Sequence, residues 1–128
     1  MGKDVEKIGV VGNDIVNKFN LNISPDTPIF IGLNNRIHME NNHGDIYRQY
    51  SDCIEEIIKS PDYVGVNPHD NSLEYYKTYG SVTLHIKLAV RPTKGGVYFA
   101  KTMYDVNEHS LKSYLQKGRV KAINQNCC

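Results

Sequence analysis

Each thing this sequence lacks removes a class of protein. It has no tryptophan. No apolar run approaches the roughly 20 residues that a membrane-spanning helix needs, so no such span is expected. The first residues mix Lys3 and Lys7 with Asp4 and Glu6, and hold no long apolar stretch. No secretory leader is expected from that pattern. Cysteine is scarce, and two of the three, Cys127 and Cys128, are adjacent. Neighbours of that kind suit neither a disulfide nor a zinc site, and Cys53 falls on a helical apolar stripe where it packs as a small hydrophobe. A reducing, cytoplasmic setting is expected. HExxH, Walker A, CxxC and GxSxG are all missing, so the common zinc-hydrolase, P-loop, dithiol and serine-hydrolase signatures are excluded. His38, Glu40 and His43 do not have a usual helical ligand spacing. No metal or cofactor is expected.

What is present describes one folded domain. The chain has 128 residues, 40% of them hydrophobic and 23% charged, enough for a single core and too apolar for gross disorder. We place that domain at residues 1–121 and a flexible tail at 122–128. Net charge is only +1, but it is unevenly spread. Residues 1–74 carry 6 Lys/Arg against 12 Asp/Glu, a net of −6, and residues 75–128 carry 9 against 2, a net of +7. A half this basic is a footprint for phosphate groups or for an acidic partner. The acidic half is the other available partner, within the fold itself.

The pattern along the chain reads as α+β. Residues 7–11 form a short strand or lead-in, and 13–19 a short helix with Ile15, Val16 and Phe19 on one face. Pro28 opens a short apolar strand. A helix from Asn34 or Asn35 runs to about Asn42, Gly44 interrupts it, and Asp45 caps the next. There Ile46, Tyr50, Cys53, Ile54, Ile57 and Ile58 make one apolar stripe, which Ser60-Pro61 ends. Four strands follow, at 63–66, 73–77, 82–90 and 97–104, with a turn or bend at 78–81. In the third, Val82, Leu84, Ile86 and Leu88 share one face, and Thr83, His85 and Lys87 the other. The polar face is expected to look outward. Asn107 caps a final helix closed by Gly118. The predicted architecture is N-terminal helices packed on a four-stranded antiparallel sheet, with a C-terminal helix.

Residues 34–61 hold the chemistry that stands out. His38 and His43 lie close in sequence, with Arg36 and Arg48 nearby. Metal-free cleavage of an RNA phosphodiester needs a base for the 2′-hydroxyl, an acid for the leaving oxygen, and cations for the developing charge. Histidine suits the first two tasks and Arg or Lys the third. On one continuous helix, five residues put His38 and His43 about 140° apart, so a shared site requires the helix to break between them. Tyr47 is placed to orient His43. Arg36 and Arg48 can bind phosphate or pair with nearby carboxylates. The nine tyrosines can stack on bases or pack in the core.

In its order of elements the chain resembles the phage-associated barnase–EndoU–colicin–RelE-like nuclease domains. The likeness rests on a short strand, then IHMENNH, then a helix ending IIKSPDYV, then a meander ending GGVYFAKTMYDVNEHSLKSYLQKGRV, and it covers roughly residues 7–121. The resemblance implies a metal-independent ribonuclease of the phage or mobile-element effector and toxin type, acting in bacterial or phage-infected cytoplasm. It points to His38, His43, Thr102 and Tyr104 as catalytic candidates. Arg48, Lys87 and Lys101 are the candidate phosphate contacts. RNA, including tRNA, is the expected partner, alongside a neutralising or target protein. Two rivals stand beside this reading: a non-catalytic module that keeps the fold and holds RNA or a host protein, and a metal-dependent phosphodiesterase.

Overall fold

A computed structural model describes residues 4–80 and 84–123 of the chain. It opens with β1 (Val5–Val11), α1 (Asn13–Lys18) and β2 (Thr27–Gly32), followed by α2 (Leu33–Tyr50), a 3-10 turn (Ser51–Cys53) and α3 (Ile54–Lys59). Four strands come next: β3 (Tyr63–Val66), β4 (Leu73–Tyr79), β5 (Leu84–Pro92) and β6 (Tyr98–Val106). Then come α4 (Glu108–Gln116) and β7 (Val120–Ala122). Among the described residues, no helix is long and apolar enough to cross a membrane.

The fold is α+β, but among the described residues the sheet has seven strands rather than the four expected, in the order β1-β2-β6-β5-β4-β3-β7. The meander forms its centre. At one end, β2 joins β6 through a short parallel seam, Ile29 opposite Tyr98 and Phe30 opposite Phe99. At the other, β7 pairs antiparallel with β3. Neither addition has a local signal. The seam joins segments about 70 residues apart, and β7 is too short to show a period. Of the tail expected at 122–128, Ala122 pairs with Tyr63 and Ile123 is buried; residues 124–128 lie outside the described residues. So do Val82 and Thr83. Thr78 and Tyr79, read as a bend, extend β4 opposite His85 and Leu84.

Local chemistry explains the element ends. The Asn35 side chain accepts the Gly32 N–H at 2.7 Å, at the start of α2. That helix breaks at His43, whose φ of −142° and ψ of 53° are not helical. At α4 the Asn107 side chain accepts the Ser110 N–H at 2.8 Å. Gly118, with φ of 77°, lets the chain turn into β7.

The two faces of the sheet differ. On one, Ile29, Ile31, Leu73, Tyr75, Ile86, Leu88, Val90 and Met103 join Met39 of α2 and Ile54, Ile57 and Ile58 of α3 in the main core. On the other, α4 covers only part of the surface, where Tyr76, Val106, Leu111 and Val120 form a second, smaller cluster.

Candidate functional site

The second face carries the polar alternation of three neighbouring strands. Strand register aligns Glu74, Ala89 and Thr102 in one row, Tyr76, Lys87 and Tyr104 in the next, and Thr78, His85 and Val106 in the third. Side chains directly opposite on one face touch, so the rows form a patch. The expected outward-looking strand face is instead closed: His85 and Lys87 are each only 3% exposed. The cover is α4 and the segment after it, an element that β5's own alternation does not reveal.

Inside the patch, every buried charge has a partner. Glu74, 2% exposed, meets the Lys87 ammonium at 3.2 Å, accepts from Arg119 Nη2 at 3.0 Å on both carboxylate oxygens, and accepts longer bonds from the Tyr76 hydroxyl and the Asn67 amide at 3.4 Å. Burial works against the Arg119 charge, and Glu74 more than offsets it, holding the guanidinium above its ordinary pKa. Burial, reinforced by Glu74, pushes the Tyr76 hydroxyl well above the usual tyrosine range. The ammonium of Lys87 lies over the rings of Tyr104, Tyr76 and Tyr114 at 4.8, 5.7 and 5.9 Å. Arg119 lies over Tyr114 at 4.6 Å. Aromatic faces attract cations, so these rings help hold the two positive groups in place.

His85 is fixed at both nitrogens. Nδ1 is 2.9 Å from the Thr78 hydroxyl and Nε2 is 2.7 Å from Glu108 Oε1. Glu108 itself is 42% exposed, so this pair connects the buried patch to solvent. His43 approaches from α2, which lies against β6. Its exposed ring stacks on Tyr104, centroids 5.1 Å apart. His43 therefore stands on the ring that covers Lys87, one row from His85. A shallow depression of about 470 Å³, lined by residues that include Glu40, Asn42, His43 and Arg48, opens beside it. A narrower cleft of about 360 Å³ lies elsewhere, lined by Ile8, Ile15, Ile58 and Tyr75 among others, and holds no histidine.

The residues singled out from sequence are dispersed unevenly around this patch. His43, Tyr104 and Lys87 come together, and Thr102 shares their face one row away. His38 does not join them. It is exposed on α2, its ring against the Asn42 amide at 2.9 Å. Arg48 pairs with Glu40 and Asp45. Lys101 donates to Asp70 at 2.5 Å, and Lys87 points inward to Glu74. Each candidate phosphate contact thus faces a carboxylate of the acidic half. Arg36 binds Glu6 at 2.9 Å and donates to the Tyr47 hydroxyl at 3.0 Å, so Tyr47 is engaged there rather than shown orienting His43. Among the described residues no three His, Cys, Asp or Glu side chains are grouped to hold a metal ion.

A family model described as phage-Barnase-EndoU-ColicinE5/D-RelE like nuclease 3 matches residues 6–113. The chain belongs to this family. No curated protein and no solved structure matches it. The part matched to the nuclease model includes Glu74, His85, Lys87, Tyr104 and Glu108; Tyr114 and Arg119 come after it.

Four members of the patch are not among the candidates expected from the sequence. Glu74 shares its parity with Tyr76 and Thr78 in β4, and that polar alternation was a usable signal. Glu108 follows a capping Asn107 and looked like an ordinary first-turn acid. Tyr114 and Arg119 carry no local signal, because only the return of the chain after α4 brings Arg119 to Glu74.

Proposed function

We propose that this nuclease is a metal-independent endoribonuclease that cuts RNA by attack of the 2′-hydroxyl on the adjacent phosphodiester. It fits the phage or mobile-element effector type, working in the cytoplasm of the cell it enters. The observation that carries this reading is the exposed His43 ring seated on Tyr104, above Lys87 and one row from His85. The exposed imidazole of His43 is a candidate acid or base, and the buried His85 lies in the patch behind it. His43 is free to meet substrate. His85 is held in orientation by Thr78 and backed by Glu108. The Tyr104 and Thr102 hydroxyls are candidate donors to the scissile phosphate.

The test is incubation with total RNA and with tRNA in excess chelator. Wild-type protein is expected to leave cyclic-phosphate ends. His43→Ala is expected to cut about 100-fold more slowly or worse, the scale of a lost acid or base. His38→Ala is expected to change little. Cleavage that chelator abolishes would favour a metal-dependent phosphodiesterase instead. Full activity in a folded His43→Ala variant would remove the assignment.

A second reading has its own support. Arg48, Lys87 and Lys101 are each paired with a carboxylate, which leaves fewer cations free for phosphate than the sequence suggests. A non-catalytic module that holds RNA or a host protein would bind without turnover, and for RNA the log affinity would fall with log salt.

A further inference from the structure

The second face continues beyond the cover of α4, and that open part carries a regular arrangement. Register places Lys7 of β1 opposite Phe30 of β2, Phe30 opposite Phe99 of β6, and Phe99 opposite Arg91 of β5. Four successive strands therefore present a cation, two aromatic rings and a cation in one row. At about 4.8 Å between strands the row is roughly 14 Å across. The two rings lie 5.7 Å apart. Lys7 and Arg91 are exposed, and Phe30 and Phe99 are only half-buried. The row itself holds no carboxylate, although Arg91 lies 3.5 Å from Asp70 at its margin.

Packing does not account for these rings. Ile29 and Ile31, their neighbours along β2, are 0% and 1% exposed on the core face. Phe99 instead borders a surface groove of about 250 Å³, with Val5, Leu33, Asn34 and Asn35 among its other walls. Val5 and Leu33 are 41% and 51% exposed. Asn35 is occupied by its bond to Gly32, but Asn34 is exposed at the groove, and its amide offers both a donor and an acceptor. Asp4 also lines the groove, so phosphates are expected over Lys7 and Arg91 rather than there.

We propose that Phe30 and Phe99, flanked by Lys7 and Arg91, form a stacking platform for unpaired nucleobases of a single-stranded nucleic acid. The assignment of that strand as RNA substrate rests on the function proposed above. Aromatic faces accept any base, and the cations beside them track the backbone. Phe99 and Tyr104 lie on the same strand; a register shift between them keeps both on this face, and the span matches Arg91 to Lys87 on β5, four residues or roughly 13 Å at 3.3 Å per residue. The platform thus holds a part of the strand away from the reacting phosphate. It makes the protein prefer unpaired substrates longer than a dinucleotide.

The experiment compares wild type, Phe99→Leu and Phe99→Tyr, each checked for folding by its thermal melt. Two readouts are used: cleavage of a dinucleotide and of an octanucleotide, and equilibrium binding of a 2′-deoxy octanucleotide carrying 2-aminopurine. We expect Phe99→Leu to bind the octanucleotide about tenfold more weakly, the scale of one lost base stack, and to lose the stacking quench of 2-aminopurine. Phe99→Tyr retains both. On RNA, Phe99→Leu loses activity toward the octanucleotide and keeps it toward the dinucleotide. Equal binding and quench in all three proteins overturns the platform, even where the wild type cuts RNA. Phe99-dependent binding without cleavage keeps the platform and removes the ribonuclease reading. Absence of both binding and cleavage overturns both.

Discussion

The two faces of this sheet bury side chains of opposite kinds. The core face is filled by Ile29, Leu73, Ile86, Leu88 and Met103 under α2 and α3. The second face buries Glu74, His85 and Lys87 under α4. Apolar burial stabilises with little directional demand. Burying charge stabilises little and requires every group to be answered. A protein that keeps such a cluster on one face, while filling the other with aliphatics, has placed its demanding chemistry where only half a cover exists.

The difference can be broken most severely at Glu74. Glu74→Leu strands Lys87 and Arg119 together and is expected to cost about 3–5 kcal/mol. The double variant Glu74→Leu/Lys87→Met is expected to recover most of that, because Arg119 is partly exposed and can turn to water. On the core face, Leu88→Ala is expected to cost about 2–5 kcal/mol, and no second substitution of the charge-cancelling kind would repair it. Denaturant unfolding of the four proteins checks this. Equal losses in the single and double Glu74 variants would sink the distinction.

A smaller effect sits at the sheet margin. The Lys101 ammonium, helped by the Ser72 N–H, holds Asp70 well below the usual carboxylate range. A depressed folded-state pKa stabilises above the unfolded value, about pH 4, and that contribution is lost as pH falls further. Lys101→Met is therefore expected to flatten the fall of melting midpoint on acidification below about pH 4. A slope equal to wild type would refute it. The smallest effect is at Arg48, whose pairs with Glu40 and Asp45 are in solvent. Arg48→Ala is expected to leave the melting midpoint unchanged, and a clear drop would mean that the bend at His43 depends on those pairs.

The elements with strong local pattern were legible in the sequence. The apolar stripe of α2 and α3, although a 3-10 turn at Ser51–Cys53 divides the single helix expected there, the alternation of β5 and the Asn107 cap each declare themselves within a few residues. The parallel seam at Ile29 and Tyr98 does not, because partners that far apart leave no common period. His85 and Lys87 share the polar parity that the sequence shows, but that face is buried and does not look outward as expected. Whether a strand face is covered depends on where a later helix packs, and Leu111 and Tyr114 bear no mark of that destination. For the same reason His43 stands out as a candidate, whereas its companion Arg119 does not. The helix break that the His38–His43 spacing required was foreshadowed by Gly44, and it falls one residue earlier.

The seam between β2 and β6 has a consequence for how the protein comes into being. Everything proposed for function draws on both sides of it: Phe30 and His43 come early, Phe99 and Tyr104 late, and Arg119 later still. A chain emerging from the ribosome holds β1 and β2 without the strand that joins them to the meander until β6 has been synthesised, and such distant pairings form late. Neither platform nor imidazole site exists in that interval. On the function proposed above, a chain that stops short of β6 is expected to leave RNA uncut.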